Sequence, residues 1–255
     1  MLEPRSACTV ALFAAALAVT PPTATGLREF GRWFVRPARL PFAWQALATA
    51  TRSGDGREAF ARGQQILQLL PSWTDGHAAF AYRYALTSDA SADRATTARR
   101  AEQRLQIALA YLEEARRHAS RRELDLLQAG AFLPQVACNQ FPGLAERLQP
   151  SAAELTDAWL AEAERVSPSA AVREQRLWFT PRLAAALLGN DDASGAMQVI
   201  RTALDQVDGI RERQLAAEWA ARLREVLRWL QGDRAISLDA VFADPRFEPL
   251  WPFLH

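Results

Sequence analysis

Residues 54–73 have the sequence GDGREAFARGQQILQLLPSW, which contains the start, the apolar face and the end of one helix. Asp55 and Glu58 have the spacing of a capping box, in which two side chains bond to backbone amides that the first helical turn leaves free. Pro71 has no amide hydrogen and cannot continue a helix. The stretch therefore predicts one short amphipathic helix. Its apolar residues recur at the helical period: Ala59, Gly63, Ile66, Leu67 and Leu70.

The same signals recur along the chain and predict an all-α fold. Ser120 with Glu123, and Ser151 with Glu154, repeat the capping-box spacing. Good helix formers dominate the composition and β-branched residues are sparse. With 49% hydrophobic residues, the 255-residue chain can bury a core, as one large domain or two small ones. The clearest further stripes are Ala101, Leu105, Ala108, Leu112 and Ala115, then Leu215, Trp219, Leu223, Val226, Leu227 and Leu230.

These signals together predict a series of helical hairpins. Pro168 ends one helix as Pro71 does, and Pro181 predicts a kink or a break. Residues 136–150, with two prolines, predict a loop with a short helix that interrupts the third hairpin. The predicted helices are 42–52, 55–70, 75–87, 92–118, 121–137, 151–166, 170–188, 193–207 and 210–231.

The hairpins show a loose internal repeat. Asp191 and Asp192, followed by Ala196 and Leu204, align with the turn and apolar positions of the quoted stretch. The spacings correspond to units of somewhat under fifty residues, and a period of about 20–50 residues is typical of solenoids. A bundle of helices of equal length would produce the same pattern, so both arrangements stay open.

Residues 42–72 resemble a tetratricopeptide repeat, and residues 151–208 do so more loosely. The small, turn and stop positions of that family are matched by Ala50, Gly54, Ala59, Leu67 and Pro71. Trp44-Gln45-Ala46-Leu47 matches the start of its first-helix motif, but Ala48 stands where the family has Gly. The resemblance implies a solenoid of antiparallel helical hairpins with a concave groove that binds a peptide or another protein. It implies no catalytic residues.

The N-terminal residues predict a targeting segment. The apolar run from Cys8 to Val19 has the length of a signal-peptide core, and Ala16-Leu17-Ala18 fits a cleavage site. The chain is then divided into a leader (1–25), a basic and aromatic connecting segment (26–41), a helical-repeat domain (42–236) and a C-terminal capping tail (237–255). Export to the periplasm or membrane anchoring is expected. An uncleaved leader would favour a cytoplasmic body by the positive-inside rule.

The connecting segment combines arginines with aromatic residues, which suits the interface of a membrane. The alternative is that its aromatic residues cap the first repeat and its arginines face water. The residues expected at a membrane interface are Arg28, Arg32, Trp33, Phe34 and Arg36.

Composition argues against several classes of protein. The formal net charge of +1 does not favour nucleic-acid binding, which needs a clustered basic surface. All 30 basic residues are Arg, which excludes lysine-dependent phosphate loops and Schiff-base enzymes. Cys138 has no pairing partner if the leader with Cys8 is removed. The three histidines lie far apart in sequence, so neither a metal nor a cofactor is expected.

The sequence also predicts a protein without catalytic residues. General acid-base chemistry needs carboxylates in unequal environments across a cleft. The neighbouring carboxylates of this chain are expected on helix surfaces or in a turn, where they face solvent. They are Glu113-Glu114, Glu162 with Glu164, and Asp191-Asp192.

The candidates for partner binding combine aromatic rings with arginines, the residue types that dominate binding hot spots. In residues 77–86, HAAFAYRYAL, the helical period predicts packing for Phe80, Ala81 and Tyr84, whereas Tyr82 and Arg83 point elsewhere. An ordinary amphipathic helix is the alternative. Trp159, Trp219 and Trp229 are expected in the core. The candidates are Trp44, Tyr82, Arg83, Arg176, Trp178 and Trp251.

The C-terminal residues FADPRFEPLWPFLH contain three prolines among aromatic side chains. They predict an irregular tail that either folds back as a lid or docks on a partner as an extended segment.

The function that these patterns favour is a non-enzymatic protein-binding scaffold or adaptor, exported or membrane-associated. The alternative is a structural subunit held in a larger membrane-associated complex through its termini. A domain that binds a small hydrophobic ligand would need a closed apolar pocket of a few hundred Å³.

Overall fold

A computed structural model describes residues 36–53, 55–70, 72–88, 93–119 and 122–255 of the chain. All regular secondary structure in these residues is helical, so the predicted all-α class is confirmed. The leader and most of the connecting segment, including Arg28, Arg32, Trp33 and Phe34, lie outside the described residues. No described helix is both long enough and apolar enough to cross a membrane.

The helix bounds lie close to the predicted ones, with two exceptions. Helix α1 begins at Arg36, so residues 36–41 of the predicted connecting segment are helical. Helix α5 continues to Gln140, and the residues that follow it, 141–150, are turns without the expected short helix. The helices are α1 Arg36–Arg52, α2 Gly56–Leu69, α3 Thr74–Ala85, α4 Arg94–Arg116, α5 Glu123–Gln140, α6 Ala152–Val166, α7 Ala170–Gly189, α8 Ala193–Asp205, α9 Arg213–Leu230 and α10 Asp239–Phe242, with 3₁₀ helices Val207–Gly209 and Pro245–Phe253.

The chain divides into two compact units, one that ends at Leu70 and one from Pro71 to His255. In the first unit α1 packs against α2, the helix of the quoted stretch. The Asp55 carboxylate accepts hydrogen bonds from the amides of Arg57 and Glu58, both at 3.0 Å. The Glu58 carboxylate instead accepts from Arg62 at 3.0 Å. The cap is therefore the Asp55 half of the predicted box.

In the second unit each helix from α3 to α9 packs against the next. Helix α6 begins with the full capping box of Ser151 and Glu154, as predicted. Ser120 of the other predicted box lies outside the described residues, and α5 begins at Glu123 after Arg122, which makes no side-chain cap. Helix α7 is continuous from Ala170 to Gly189 through Pro181, so the predicted break does not occur.

Close contacts show how the middle helices are oriented. Trp159 of α6 covers Gly130 of α5, where the Cβ of any other residue would lie 2.3 Å from the indole ring. Five residues further along α5, the Gln135 amide lies 3.5 Å from the hydroxyl of Thr156. Since the partner's number falls as the α5 number rises, α5 and α6 are antiparallel. Asp157 and Glu164 of α6 contact α7 in the same antiparallel sense.

The C-terminal tail folds back onto the last helices. Phe247 and Leu250 are fully buried in the core that α7, α8 and α9 form around Trp219. The apolar stripe predicted on α9 packs into this core, and Trp219, Leu223 and Val226 of the stripe are buried. The tail therefore covers the end of the helical array, because leaving these rings in water would expose a large apolar area.

Candidate functional site

Three contacts place α3, α5 and α7 side by side. The Arg122 guanidinium, directly before α5, lies 3.1 Å from the Asp75 carboxylate of α3. The Tyr82 hydroxyl of α3 donates to the Ala129 carbonyl of α5 at 3.1 Å. The Gln128 amide of α5 donates to Gln175 of α7 at 3.3 Å. In each pair the two residues are 47 positions apart, so the three helices share one direction and one register.

Helical geometry shows which side of α5 remains open. Ala129 faces α3 and Gln128 faces α7, and these positions are 100° apart around the helix. Leu126, Leu133 and Ala137 are buried in the core that α5 shares with α4. The positions between the contacts to α3 and to α7, on the side away from α4, are Asp125, Phe132, Val136 and Asn139.

The neighbouring helices contribute exposed residues to the same side. On α3, Ala79 and Arg83 are exposed one turn apart, next to the positions that contact α5. On α7, Ala171 and Arg182 are exposed next to Gln175, on the side of α7 that continues this surface. We call this surface the first-helix face, and its residues are Ala79, Arg83, Asp125, Phe132, Val136, Asn139, Ala171 and Arg182.

The centre of the first-helix face is apolar. Val136 is 37% exposed, one of the few large apolar side chains of the described residues that face solvent. Phe132 lies one turn before it and is half-buried against the core of α6 and α7. Ala79 and Ala171 at the sides are small, so a binding segment can approach the helix backbones closely.

The charges on the first-helix face are unequally compensated. Arg122 bonds to both Asp75 and Asp125, the latter at 2.7 Å, and hydrogen bonds to these carboxylates raise the pKa of Arg122. By contrast, the guanidinium groups of Arg83 and Arg182 make no ion pair with any part of the chain that the structure describes. The paired carboxylates of Asp75 and Asp125 lie near the N-terminal ends of the helices, whereas Arg83 and Arg182 lie further along them.

The two predicted aromatic-arginine pairs are Tyr82 with Arg83 and Arg176 with Trp178, and in each pair only one residue lies on or beside the first-helix face. Arg83 lies on the first-helix face, but Tyr82 does not point away from the packed side as predicted. Its ring packs against the core of α3, α4 and α5, and burial raises its pKa. Trp178 lies at the edge of the face, where its ring meets Trp219 edge-on at a centroid distance of 4.6 Å.

Arg176 points away from the first-helix face, toward α6. Its guanidinium forms two hydrogen bonds to Asp157, at 2.8 and 3.2 Å, and one to Glu164 at 3.3 Å. The hydrogen bonds to Asp157 raise the pKa of Arg176. This ion pair lines a cleft of about 140 Å³ between α6, α7 and α8 together with Thr180, Gln198 and other residues. This volume is below the few hundred Å³ that a small hydrophobic ligand would need.

The last two candidates lie in different places. Trp251 belongs to the folded tail, where its half-buried ring packs edge-on against Phe242, so the extended docking tail is wrong. Trp44 is 44% exposed on α1 and belongs to the first unit. The five candidates of the second unit therefore do not form one surface, and of these only Arg83 and the edge residue Trp178 belong with the first-helix face.

The potentially reactive groups of the described residues are mostly held by neighbours. Glu113 and Glu162 both bond to the Arg116 guanidinium, so these carboxylates do not simply face solvent as predicted. Burial raises the pKa of Cys138 to about 11, which keeps the thiol protonated near neutral pH. His77 lies 2.6 Å from the Tyr111 hydroxyl. Among the described residues, no three or more His, Cys, Asp or Glu side chains come together as metal ligands would.

No protein-family model, curated protein or solved structure was found to match the chain. The tetratricopeptide resemblance of residues 42–72 thus stays a prediction.

Sequence reasoning missed Phe132, Val136 and Arg182. Val136 fell in the segment predicted as a loop with a short helix, because Pro142 and Pro150 were taken to interrupt the hairpin. One signal was available: Pro134 and Pro181 are also 47 residues apart, and both are buried inside helices. Aligning the chain on this spacing would have placed α5 beside α7.

Proposed function

We propose that the chain is a non-enzymatic protein-binding scaffold or adaptor of the helical-repeat type, and that its first-helix face holds the partner. The observation that carries this proposal is the constant offset of 47 residues between α3, α5 and α7. A constant offset is expected when one hairpin unit is repeated, and it supports a tetratricopeptide-like solenoid of antiparallel hairpins. In such an array the first helices of successive hairpins make one continuous surface.

The composition of the first-helix face supports partner binding. Exposed Val136 and half-buried Phe132 supply apolar area, and Arg83 and Arg182 supply charges that the described chain does not compensate. Binding sites combine an apolar centre with a polar rim, and arginine is enriched in them. A surface that only needed to be soluble would not require this combination.

The N-terminal residues bear on where the protein is located in the cell. The apolar leader 1–25 and the basic, aromatic segment behind it favour an exported or membrane-associated scaffold. The alternative of a subunit held through both termini loses half of its support, because Phe247 and Leu250 of the C-terminal tail are buried within the chain itself.

The test compares two exposed apolar residues of similar size. Val136→Asp places a charge at the centre of the first-helix face. Ile107→Asp is the matched control, because Ile107 is 44% exposed on α4 and lies on the side of that helix opposite its buried stripe. Both variants should keep the helical circular-dichroism spectrum of the parent chain.

The immobilised full chain and both variants are incubated with a membrane extract of the source organism, and the captured proteins are quantified by mass spectrometry. We expect proteins that the parent chain and Ile107→Asp capture equally and that Val136→Asp loses by tenfold or more. Equal capture by all three chains, or no capture by the parent chain, would contradict the proposal.

A further inference from the structure

We infer that the partner segment on the first-helix face is an extended, acidic stretch of polypeptide, with two carboxylates about five or six residues apart on either side of an apolar side chain. This inference rests on the proposed function and adds the chemistry of the partner. The observations behind it are the positions of Arg83, Val136 and Arg182 and the absence of an ion pair at either arginine within the described residues.

The common register of the helices gives the separation of the two arginines. Through the 47-residue offset, Arg83 of α3 lies level with Gly130 of α5, and Arg182 of α7 lies level with Gln135. Five residues along a helix correspond to about 7.5 Å.

Packed helices lie about 8–10 Å apart, and α7 meets α5 through the long side chains of Gln128 and Gln175, which allows a somewhat wider spacing. Because α3 and α7 contact α5 at positions 100° apart around that helix, the axes of α3 and α7 are about 14–18 Å apart. The backbones at Arg83 and Arg182 are therefore about 16–20 Å apart.

An extended segment matches this separation. Extended chain advances by about 3.3–3.6 Å per residue, so about five or six residues join two groups that are about 16–20 Å apart. Such a segment crosses α5 between the arginines, where Phe132 and Val136 lie. An apolar side chain midway between its carboxylates would contact both of them. A helical segment would need more than twice as many residues to reach from one arginine to the other.

The charges of the first-helix face favour carboxylates over basic or neutral partners. Asp75 and Asp125 are occupied by Arg122, at 3.1 and 2.7 Å, so they offer little to a basic segment. Arg83 and Arg182 are the exposed charges that remain. Arg176, which also lies on α7, is directed to Asp157 and takes no part. A guanidinium binds a carboxylate through paired hydrogen bonds, which fixes orientation as well as charge.

The probe is an acetylated and amidated peptide of seven residues with Glu at the first and seventh positions, Leu at the fourth and Ser or Gly elsewhere. A fluorophore on a Gly linker reports binding to the full chain by polarisation. One control peptide carries Gln in place of both Glu residues, and another carries the two Glu residues only three positions apart. Both controls should bind at least fivefold more weakly.

The protein variants are Arg83→Ala and Arg182→Ala, with Arg201→Ala as the matched control. Arg201 is exposed on α8 and lies off the first-helix face. We expect each face variant to raise Kd about two- to fivefold, the range of one exposed ion pair, and Arg201→Ala to leave it unchanged. Higher salt should reduce the difference between the Glu and Gln peptides.

The two proposals fail in different ways. If Val136→Asp abolishes partner capture but the Gln peptide binds as well as the Glu peptide, the face is the binding site and its acidic partner is wrong. If no peptide binds at millimolar concentration, or if Arg201→Ala acts like Arg83→Ala, the inference is overturned. A single-stranded oligonucleotide that displaces the Glu peptide at equal concentration would also overturn it, in favour of a general polyanion.

Discussion

Two regions of the second unit combine arginine with large apolar side chains, and they behave in opposite ways. The first region closes the C-terminal end of the helices, and we call it the cap cluster. It consists of Trp178, Trp219, Asp244, Arg246 and Phe247. In the second, the first-helix face, similar residue types lie in contact with solvent. Phe247 is 0% exposed, whereas Val136 is 37% exposed.

The difference lies in whether the chain supplies a carboxylate. In the cap cluster the Asp244 carboxylate is only 6% exposed, accepts a 2.6 Å hydrogen bond from Arg246 and lies 3.4 Å from Arg222. So held, the Arg246 guanidinium lies over the rings of Trp178 and Trp219, 4.7 and 4.9 Å from their centroids. An arginine beside aromatic residues becomes structural when a nearby acid neutralises it. On the first-helix face no described acid does so for Arg83 or Arg182.

The largest expected effect separates the two regions by stability. Trp219→Ala should lower the free energy of unfolding by about 3–5 kcal/mol, because it removes a fully buried ring at the centre of the cap cluster. Val136→Ala on the first-helix face should change it by less than about 0.5 kcal/mol. Urea unfolding followed by circular dichroism measures both. Similar losses for the two variants would mean that Val136 belongs to the core.

The second expected effect concerns the acid that distinguishes the regions. Asp244→Asn should cost about 1–2 kcal/mol at pH 7, because it removes a charged acceptor that Arg246 and Arg222 share. The loss should exceed that of Asp233→Asn, whose partner Arg228 is exposed and lies near the end of α9. Equal losses would show that burial of Asp244 adds nothing to its ion pair.

The Asp244→Asn variant also tests how the stability of the chain depends on pH. The hydrogen bond from Arg246 holds the pKa of Asp244 below its usual value in the folded chain. A carboxylate with a lowered pKa contributes stability that is present above the unfolded-state pKa of about 3.9 and is lost as the pH falls below it. The parent chain should therefore lose more stability than Asp244→Asn between pH 5 and pH 3. Thermal unfolding at these pH values provides the measurement, and parallel curves would contradict it.

The sequence predicted the fold better than it predicted the candidate site, for a physical reason. Helix caps and apolar stripes are local, so the stripe of Trp219 and the cap at Ser151 could be located from neighbouring residues. Whether an arginine is neutralised depends on contacts that are distant in sequence or across helices. The Arg176 side chain turns to Asp157 on α6, 19 residues earlier. Tyr82 reaches Ala129, and neither contact leaves a trace in local periodicity.

Val136 was missed for a related reason. Proline normally ends a helix because it removes one backbone hydrogen bond. Pro142 and Pro150 therefore led to the prediction of a loop with a short helix over residues 136–150, but α5 continues to Gln140. The buried side of α5, which includes Ala137, packs against α4 and stabilises this last turn. Val136 thus lies on a helix, at the centre of the first-helix face.

The smallest expected effect concerns the first-helix face alone. Arg83→Ala and Arg182→Ala, singly or together, should change the free energy of unfolding by less than about 0.5 kcal/mol, since neither guanidinium pairs within the described chain. Arg116→Ala is the contrast, because Arg116 is held by Glu113, Glu123 and Glu162 and its loss leaves three carboxylates close together. Urea unfolding should give Arg116→Ala a free energy of unfolding well below those of Arg83→Ala and Arg182→Ala. If Arg83→Ala destabilised the chain as much as Arg116→Ala does, the arginine would have a structural partner. The first-helix face would then differ from the cap cluster only in exposure, and no external carboxylate would be needed to explain it.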